Sequence, residues 1–341
     1  MPYVTAAMDN LDIQVDIDAA ALFGWDDTTI HAELLSNHGS KLNRRVGTVQ
    51  GISNIEVAQN ATRLYATWVE HQFKAAQTRV LVGLYDLNSE FYATDASGML
   101  IHPSFGIGID FSQSGRNGPS IFPNLGFGVR IRQPIGRGGY VQAAVIDGVP
   151  GDPNHPGRTV VRLGHSDGAL LVGEAGWQEP GVSGPRPGRW GVGAWQYTRK
   201  SDPIDGGPPR KNQGVYAVAQ SLLVGNACGR TTGFVRAGAA NRRVNNVDLA
   251  LDAGVLVESP LGMHGPRAVT AGLAVAHLGS PSNAGERTSF RNEIAFEIDA
   301  RWQPLPNLAL QPVLQWVRHP GGRAGSAVIA GLRLEWALEP K

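Results

Sequence analysis

Residues 292–338 read NEIAFEIDARWQPLPNLALQPVLQWVRHPGGRAGSAVIAGLRLEWAL, and the period of their apolar side chains decides the fold class. Ile294, Phe296, Ile298, Ala300 and Trp302 alternate with Glu293, Glu297, Asp299 and Arg301, and only Ala295 breaks the polar row. Leu308, Leu310, Pro312, Leu314 and Trp316 alternate with Gln311 and Gln315. Val328, Ala330, Leu332, Leu334 and Trp336 alternate with Gly331, Arg333 and Glu335. Successive side chains on a strand point to opposite faces, so each segment is a strand with one oily and one wet face. Their length, and the aromatics near their ends, suit a membrane barrel better than a soluble sandwich.

The same period recurs upstream. It predicts strands at 11–18, 28–36, 62–71, 78–85, 126–133, 140–147, 169–177, 189–198, 213–222, 231–240, 247–257 and 268–278, bounded by Gly/Pro-rich turns. With the last three they make fifteen. A closed antiparallel ring needs an even number, so either residues 158–162 hide a short strand or one strand is missing from an end. Residues 86–125 form the longest stretch without alternation, and a loop of that length in a compact structure is usually functional or disordered.

Composition narrows the class. No apolar run reaches the roughly 20 residues of a spanning helix. A mean hydropathy of −0.16 does not exclude a barrel, whose lumen-facing half is polar. Gly (44) and Pro (22) favour many turns over helices. A net charge of +1 predicts no nucleic-acid partner. The single cysteine, Cys228, excludes an internal disulfide and a cysteine-based zinc site. The first residues, MPYVTAAMDN, lack a basic region followed by an apolar core, so no signal peptide is expected within this chain.

Motifs for catalysis are weak. Gly164-His165-Ser166-Asp167-Gly168 matches G-x-S-x-G, but a nucleophile elbow needs a helix after the serine, and residues 169–177 read as a strand. The nine histidines include no H-x-x-x-H or H-E-x-x-H pair, so neither a metal nor a cofactor is expected. The alternating charged rows carry more information. In a sandwich they are the solvated face. In a barrel they line water, because the oily face must meet lipid. Long strands, connections that alternate short and long, and aromatics near strand ends (Tyr140, Trp177, Trp190, Tyr197, Trp302, Trp316, Trp336) favour the barrel. The wet face mixes Asp12, Asp16, Glu293, Glu297 and Asp299 with Arg130, Arg132, Arg236, Arg301 and Arg333, whereas a strongly ion-selective pore is biased to one sign. Mixed charges with Gln311, Gln315 and Trp68 suit neutral, hydroxyl-rich solutes.

Several ordered stretches resemble the OprB-type carbohydrate-selective porins of Gram-negative outer membranes. They are LDIQVDIDAAALFGW (11–25), VGTVQGISNIE (46–56), TRLYATWVEHQF (62–73), NSEF (88–91), GVRIRQP (128–134), VQAAVIDG (141–148), GAWQYT (193–198), FVRAGAANRRVNNVDLALDAGV (234–255), NLALQPVLQWVRHPGG (307–322) and GLRLEW (331–336). The resemblance implies an all-β fold, a transmembrane antiparallel β-barrel of the 16-stranded type that passes sugars by facilitated diffusion. It places residues 86–125 as the main constriction loop and 46–56 as a second. Constriction candidates are Arg45, Trp68, Glu70, Glu90, Arg130 and Arg132, and the alternation adds Glu174, Arg236, Glu293, Glu297, Asp299, Arg301, Gln311, Gln315 and Arg333 to the lumen. The implied partners are carbohydrate solutes and outer-membrane lipid or lipopolysaccharide, and a homo-oligomer is compatible with it. Family members have a further strand before the segment matching residues 3–19, so one barrel domain over 1–341 with a truncated N-terminus is expected. The end at Trp336-Ala337-Leu338-Glu339-Pro340-Lys341 departs from the usual terminal aromatic. Two alternatives stand beside this reading: a general or export-associated outer-membrane channel, and a soluble β-rich carbohydrate-binding protein.

Overall fold

Among the described residues, fifteen strands lie side by side in chain order, each hydrogen-bonded antiparallel to the next. The computed structural model describes residues 4–164, 166–180, 188–226, 229–260, 265–279 and 290–338. His165, Cys228 and residues 339–341, on which parts of the motif, cysteine and C-terminal readings rest, lie outside them. The strands are β1 (Met8–Asp18), β2 (Thr28–Gly39), β3 (Ala61–Phe73), β4 (Thr78–Tyr85), β5 (Gly126–Ile135), β6 (Gly139–Asp147), β7 (Ala169–Gln178) and β8 (Arg189–Ser201). They continue with β9 (Arg210–Asn226), β10 (Gly229–Ala240), β11 (Val247–Glu258), β12 (Ala268–Leu278), β13 (Asn292–Leu305), β14 (Leu308–Arg318) and β15 (Ser326–Trp336). Every strand expected from the alternation is present, with ends longer by a few residues.

Burial is inverted relative to a soluble protein. Val328, Leu332, Leu334 and Trp336 are 65–73% exposed on the outer face. Arg236, Glu293 and Glu297 on the inner face are 0% exposed. An all-round apolar exterior over hydrogen-bonded strands is what lipid demands, because only a sheet that pairs its own backbone can cross hydrocarbon. A sandwich would bury its apolar faces between two sheets; here one sheet turns them outward. In-register pairing stacks the wet faces into a continuous wall, with Glu297 opposite Gln315 and Gln311 opposite Arg333.

Connections alternate in size. Residues 74–77, 136–138 and 306–307 make tight turns at one end. Residues 40–60, 86–125 and 148–168 make long connections at the other, which in such barrels is the exterior side. β1 leaves the long-connection end, where Met8 pairs with Gly39, and β15 leaves the same end after residues 319–325. The two therefore run parallel, and among the described residues no ladder joins them. Antiparallel closure needs one strand running between them in the opposite sense. Residues 158–162 do not provide it. They are irregular, and the Thr159 hydroxyl donates to the Leu64 carbonyl.

Two local readings change. Between the first two strands, ahead of Gly24, residues 19–23 form a short helix, α1 (Ala19–Phe23), where the alternation assigns no element. Asp18 caps it by accepting from the Ala20 N–H at 3.0 Å, and Gly24 ends it in the left-handed region at φ 68°. Of the aromatics read as an interfacial girdle, Trp190, Trp302, Trp316 and Trp336 do face outward. Tyr140 and Tyr197 do not; both are buried on the lumen side, where their hydroxyls meet Glu174 and Ser114.

Candidate functional site

The lumen is filled from one side by its own loops. Residues 86–125 fold inward from the β4–β5 end. Asp86 starts the loop by accepting from the Asn88 N–H (2.9 Å) and the Tyr65 hydroxyl (2.7 Å). Its aromatics then pack on the β8–β10 wall. Phe111 stacks on Trp195 at 4.7 Å between ring centres, Tyr92 stacks on Tyr216 at 4.2 Å, and Phe105 meets Phe234 edge-on at 6.2 Å. The wall is cut back to receive them. A Cβ at Gly238 would collide with the Tyr92 hydroxyl and the Asp110 carboxylate, and one at Gly272 would sit 2.6 Å from the Phe105 ring.

Wall polar groups fasten the loop backbone. Glu174 accepts from the Tyr92 N–H (3.0 Å), the Tyr140 (2.7 Å) and Tyr216 (2.8 Å) hydroxyls, and Arg189 (3.1 Å). Arg236 donates to the carbonyls of Gly106 (2.6 Å) and Ser104 (2.5 Å) and lies 3.4 Å from Asp252. Glu297 accepts from the Ile101 (2.6 Å) and His102 (2.8 Å) N–H groups. Gln311 donates to the Met99 carbonyl at 2.7 Å and to Asp299 at 2.8 Å. Unpaired loop N–H and C=O groups buried in a lumen are costly, and these polar partners satisfy them.

A second loop, residues 40–60, carries α2 (Asn43–Val46) and interlocks with the first. Glu293 accepts from Val49 (2.9 Å), Gln50 (3.0 Å) and Gly321 (2.6 Å) N–H groups. Gln315 donates to the Ile52 carbonyl at 2.9 Å, and Arg333 to Asn54 Oδ1 at 2.7 Å. The loops meet through Ser104 Oγ to Gln50 Oε1 (2.9 Å) and Asn54 N–H to the Ile101 carbonyl (2.8 Å).

Opposite these fasteners is a charged cluster on β3–β6 and the start of the first loop. Arg130 bonds Glu70 at 2.5 Å and Glu90 at 2.7 Å, and Arg79 lies 3.6 Å from Glu70. Arg132 donates to Gln142 and Gln178 and covers the Tyr140 ring at 4.2 Å. Trp68 is half-buried and stacked on His31 at 4.8 Å, turned inward because β3 has a register shift opposite Ala32/Leu34. Arg301 pairs with Glu335 at 2.6 Å. Arg45 projects, exposed, from α2. In the first loop, burial pushes the Asp110 carboxyl up to about 7 and the His102 imidazole down to about 3, so His102 is neutral.

The structure thus places the lumen candidates inward but divides them. Glu174, Arg236, Glu293, Glu297, Asp299, Gln311 and Gln315 lie under loops, at 3% exposure or less, and hold those loops rather than line open space. Glu70, Glu90, Trp68, Arg301 and Arg333 keep partial access to water. Arg130 and Arg132 are buried by their own partners. Gln142, Arg189 and Arg63 belong with the set and are readable from strand parity. Tyr92, Asp110 and Asn54 sit on aperiodic loops, and no local pattern marks them. Ser166 is followed by β7, not a helix, and its hydroxyl meets the neighbouring Asp167 at 3.2 Å.

A meandering sheet with lipid-facing side chains outside and loop-narrowed polar ones inside defines a porin barrel. The chain belongs to the carbohydrate-selective porin OprB family, whose profile matches residues 5–338. Its fold is similar to that of Pseudomonas putida OprB at high pH, with TM-score 0.82 and 18% identity over 97% of this chain and 88% of that one. It also resembles the outer-membrane channel DcaP of Acinetobacter baumannii (TM-score 0.54, 11% identity, 96% and 83% covered). A third likeness is to an anion-selective porin from Comamonas acidovorans (0.51, 12%, 95% and 83%). No curated protein matches the chain by sequence. Family and neighbours imply an outer-membrane location.

Proposed function

We propose that the chain passes mono- and small oligosaccharides down their gradient through a water-filled eyelet, with no covalent step and no cofactor. One barrel domain carries it, closed where a strand runs between β1 and β15. The eyelet lies between the loop 86–125 and the arc formed by β1–β5 and β13–β15, with Trp68, Glu70, Glu90, Arg130, Arg301 and Arg333 nearest the solute and Arg45 above it. The observation that carries this reading is charge pairing. Arg130 is matched by Glu70 and Glu90, and Arg301 and Arg333 by Glu335. With its charges largely paired the eyelet does not select strongly by charge, while its donors and acceptors and the Trp68 face suit sugar hydroxyls and rings.

Liposome swelling tests it: glucose and disaccharides are expected to enter vesicles containing the protein faster than protein-free vesicles, and equal rates overturn it. The shared fold with DcaP and an anion-selective porin favours one second reading, a general channel. Bilayer conductance separates the two, because sugar blocks ion current only where it binds. Substituting Ser166→Ala leaves permeation unchanged if no hydrolase chemistry takes part.

A further inference from the structure

The pairing of charges along the open arc fails at one place, on its periplasmic side. Register sets Arg79 directly opposite Arg132 across β4 and β5, just past the tight turns at residues 74–77 and 136–138. Both face the lumen, as Leu81 and Arg130 do one rung nearer the exterior. Like charges directly opposite each other on one face repel. Arg79 is offset by Glu70 at 3.6 Å, and Arg189, on the neighbouring wall, by Glu174 at 3.1 Å. Arg132 is not. Among the described residues no carboxylate lies within 4.0 Å of it. Glu70 and Glu90, the acids of this arc, are both taken by Arg130, at 2.5 and 2.7 Å.

Arg132 is instead held by neutral groups. Gln142 and Gln178 each accept one of its N–H groups, and its guanidinium covers the Tyr140 ring at 4.2 Å. Its other N–H groups have no acceptor among the described residues. The Arg79 side chain is 39% exposed, so water reaches the pair from the lumen. A fixed guanidinium presents a planar fork that matches a carboxylate with two parallel bonds, and a second cation opposite can close over it. One unmatched positive charge suits a carboxylate better than a phosphate, which carries about −1.5 to −2. Gln72, across from Arg79 on β3, shares a face with Trp68 and lies four residues, or about 13 Å, below it. A sugar ring leaving Trp68 towards the periplasm therefore meets the two arginines next.

We infer that Arg79 and Arg132 form an exit-side subsite for the carboxylate of a sugar acid, a uronate or an aldonate, which the channel holds more strongly than the neutral sugar. This rests on the water-filled eyelet proposed above and adds a substrate class to it.

The test is block of single-channel current in planar bilayers by glucuronate and by glucose, in one electrolyte. The wild type is expected to be blocked by glucuronate at about 10-fold lower concentration, the effect of one charge-assisted bidentate pair. R132Q is expected to bring that ratio to about one, and R132K, which keeps the charge but not the fork, to about threefold. If R132Q fails to insert, judged by heat-modifiable mobility on gels, R79Q replaces it, with a ratio of about threefold expected. Acetate, a carboxylate without a ring, is expected to leave glucuronate block unchanged. Competition by acetate at equal concentration makes this a general anion site and overturns the sugar-acid assignment. A wild-type ratio of one, or a ratio that neither R132Q nor R79Q lowers, overturns the subsite and leaves glucose passage standing. Glucose that neither blocks nor enters liposomes, beside glucuronate block that R132Q weakens, overturns the neutral-sugar reading and leaves the subsite standing.

Discussion

The inner faces of two arcs of this barrel share one alternating pattern and do different work. On β7–β14 most inward side chains are spent on the loops: Glu174 on Tyr92, Arg236 on Ser104 and Gly106, Glu297 on Ile101 and His102. On β1–β5 more of them reach water, with the Glu70 side chain 18% exposed and that of Arg79 39% exposed. A charge on the first arc is a fastener, and a charge on the second is available to a solute. The sign or type of the residue does not tell them apart. Burial does.

The contrast is broken most severely at Arg236. Substituting Arg236→Ala strands Asp252 and frees two loop carbonyls, so a loss of about 3–5 kcal/mol is expected, read by denaturant unfolding in detergent. Single-channel conductance should rise as the loop leaves the wall. Glu297→Gln keeps the shape but replaces one of the two oxygens that accept from the Ile101 and His102 N–H groups with a donor. About 2 kcal/mol is expected, with noisier open-channel current.

Asp110 adds a pH dependence. Its docked-state pKa is raised by burial to about 7 from an ordinary 3.8, so the loop gains most from it below about 4. That contribution fades as pH rises through about 7. Conductance-raising loop-release events in bilayer recordings should therefore be more frequent at pH 8 than at pH 5, and Asp110→Asn should flatten the difference. Identical event rates in both would remove Asp110 from the latch.

On the open arc the effects shrink. Trp68→Ala removes a ring worth about 1 kcal/mol of stacking, so sugar block of ion current is expected to weaken roughly fivefold with little change in stability. Asp16→Asn is expected to shift stability by less than about 0.5 kcal/mol, because exposed charges contribute little. An effect there as large as at Glu297 would erase the distinction between the arcs.

Legibility followed range. Strand positions, face assignment and the inward turn of Arg130, Glu174 and Arg333 were readable from neighbours two residues away. Trp68 was not, because the register shift opposite Ala32/Leu34 resets the parity of β3. Tyr140 and Tyr197 were misread because position near a strand end does not say which face an aromatic takes. α1 was missed because a capped single turn leaves no periodic trace.

What the sequence determined by itself is the two-faced wall. A period of two is a local property of the chain, and the requirement that lipid meet the apolar face then sets inside and outside. What only the tertiary structure decided is which inward groups remain free. Val49 lies on Glu293 and Ile101 on Glu297, residues some two hundred positions apart, so the landing places of the loops arise from contacts no local pattern encodes. Those contacts turn much of an apparently uniform polar lining into the framework that holds the inward loops in place.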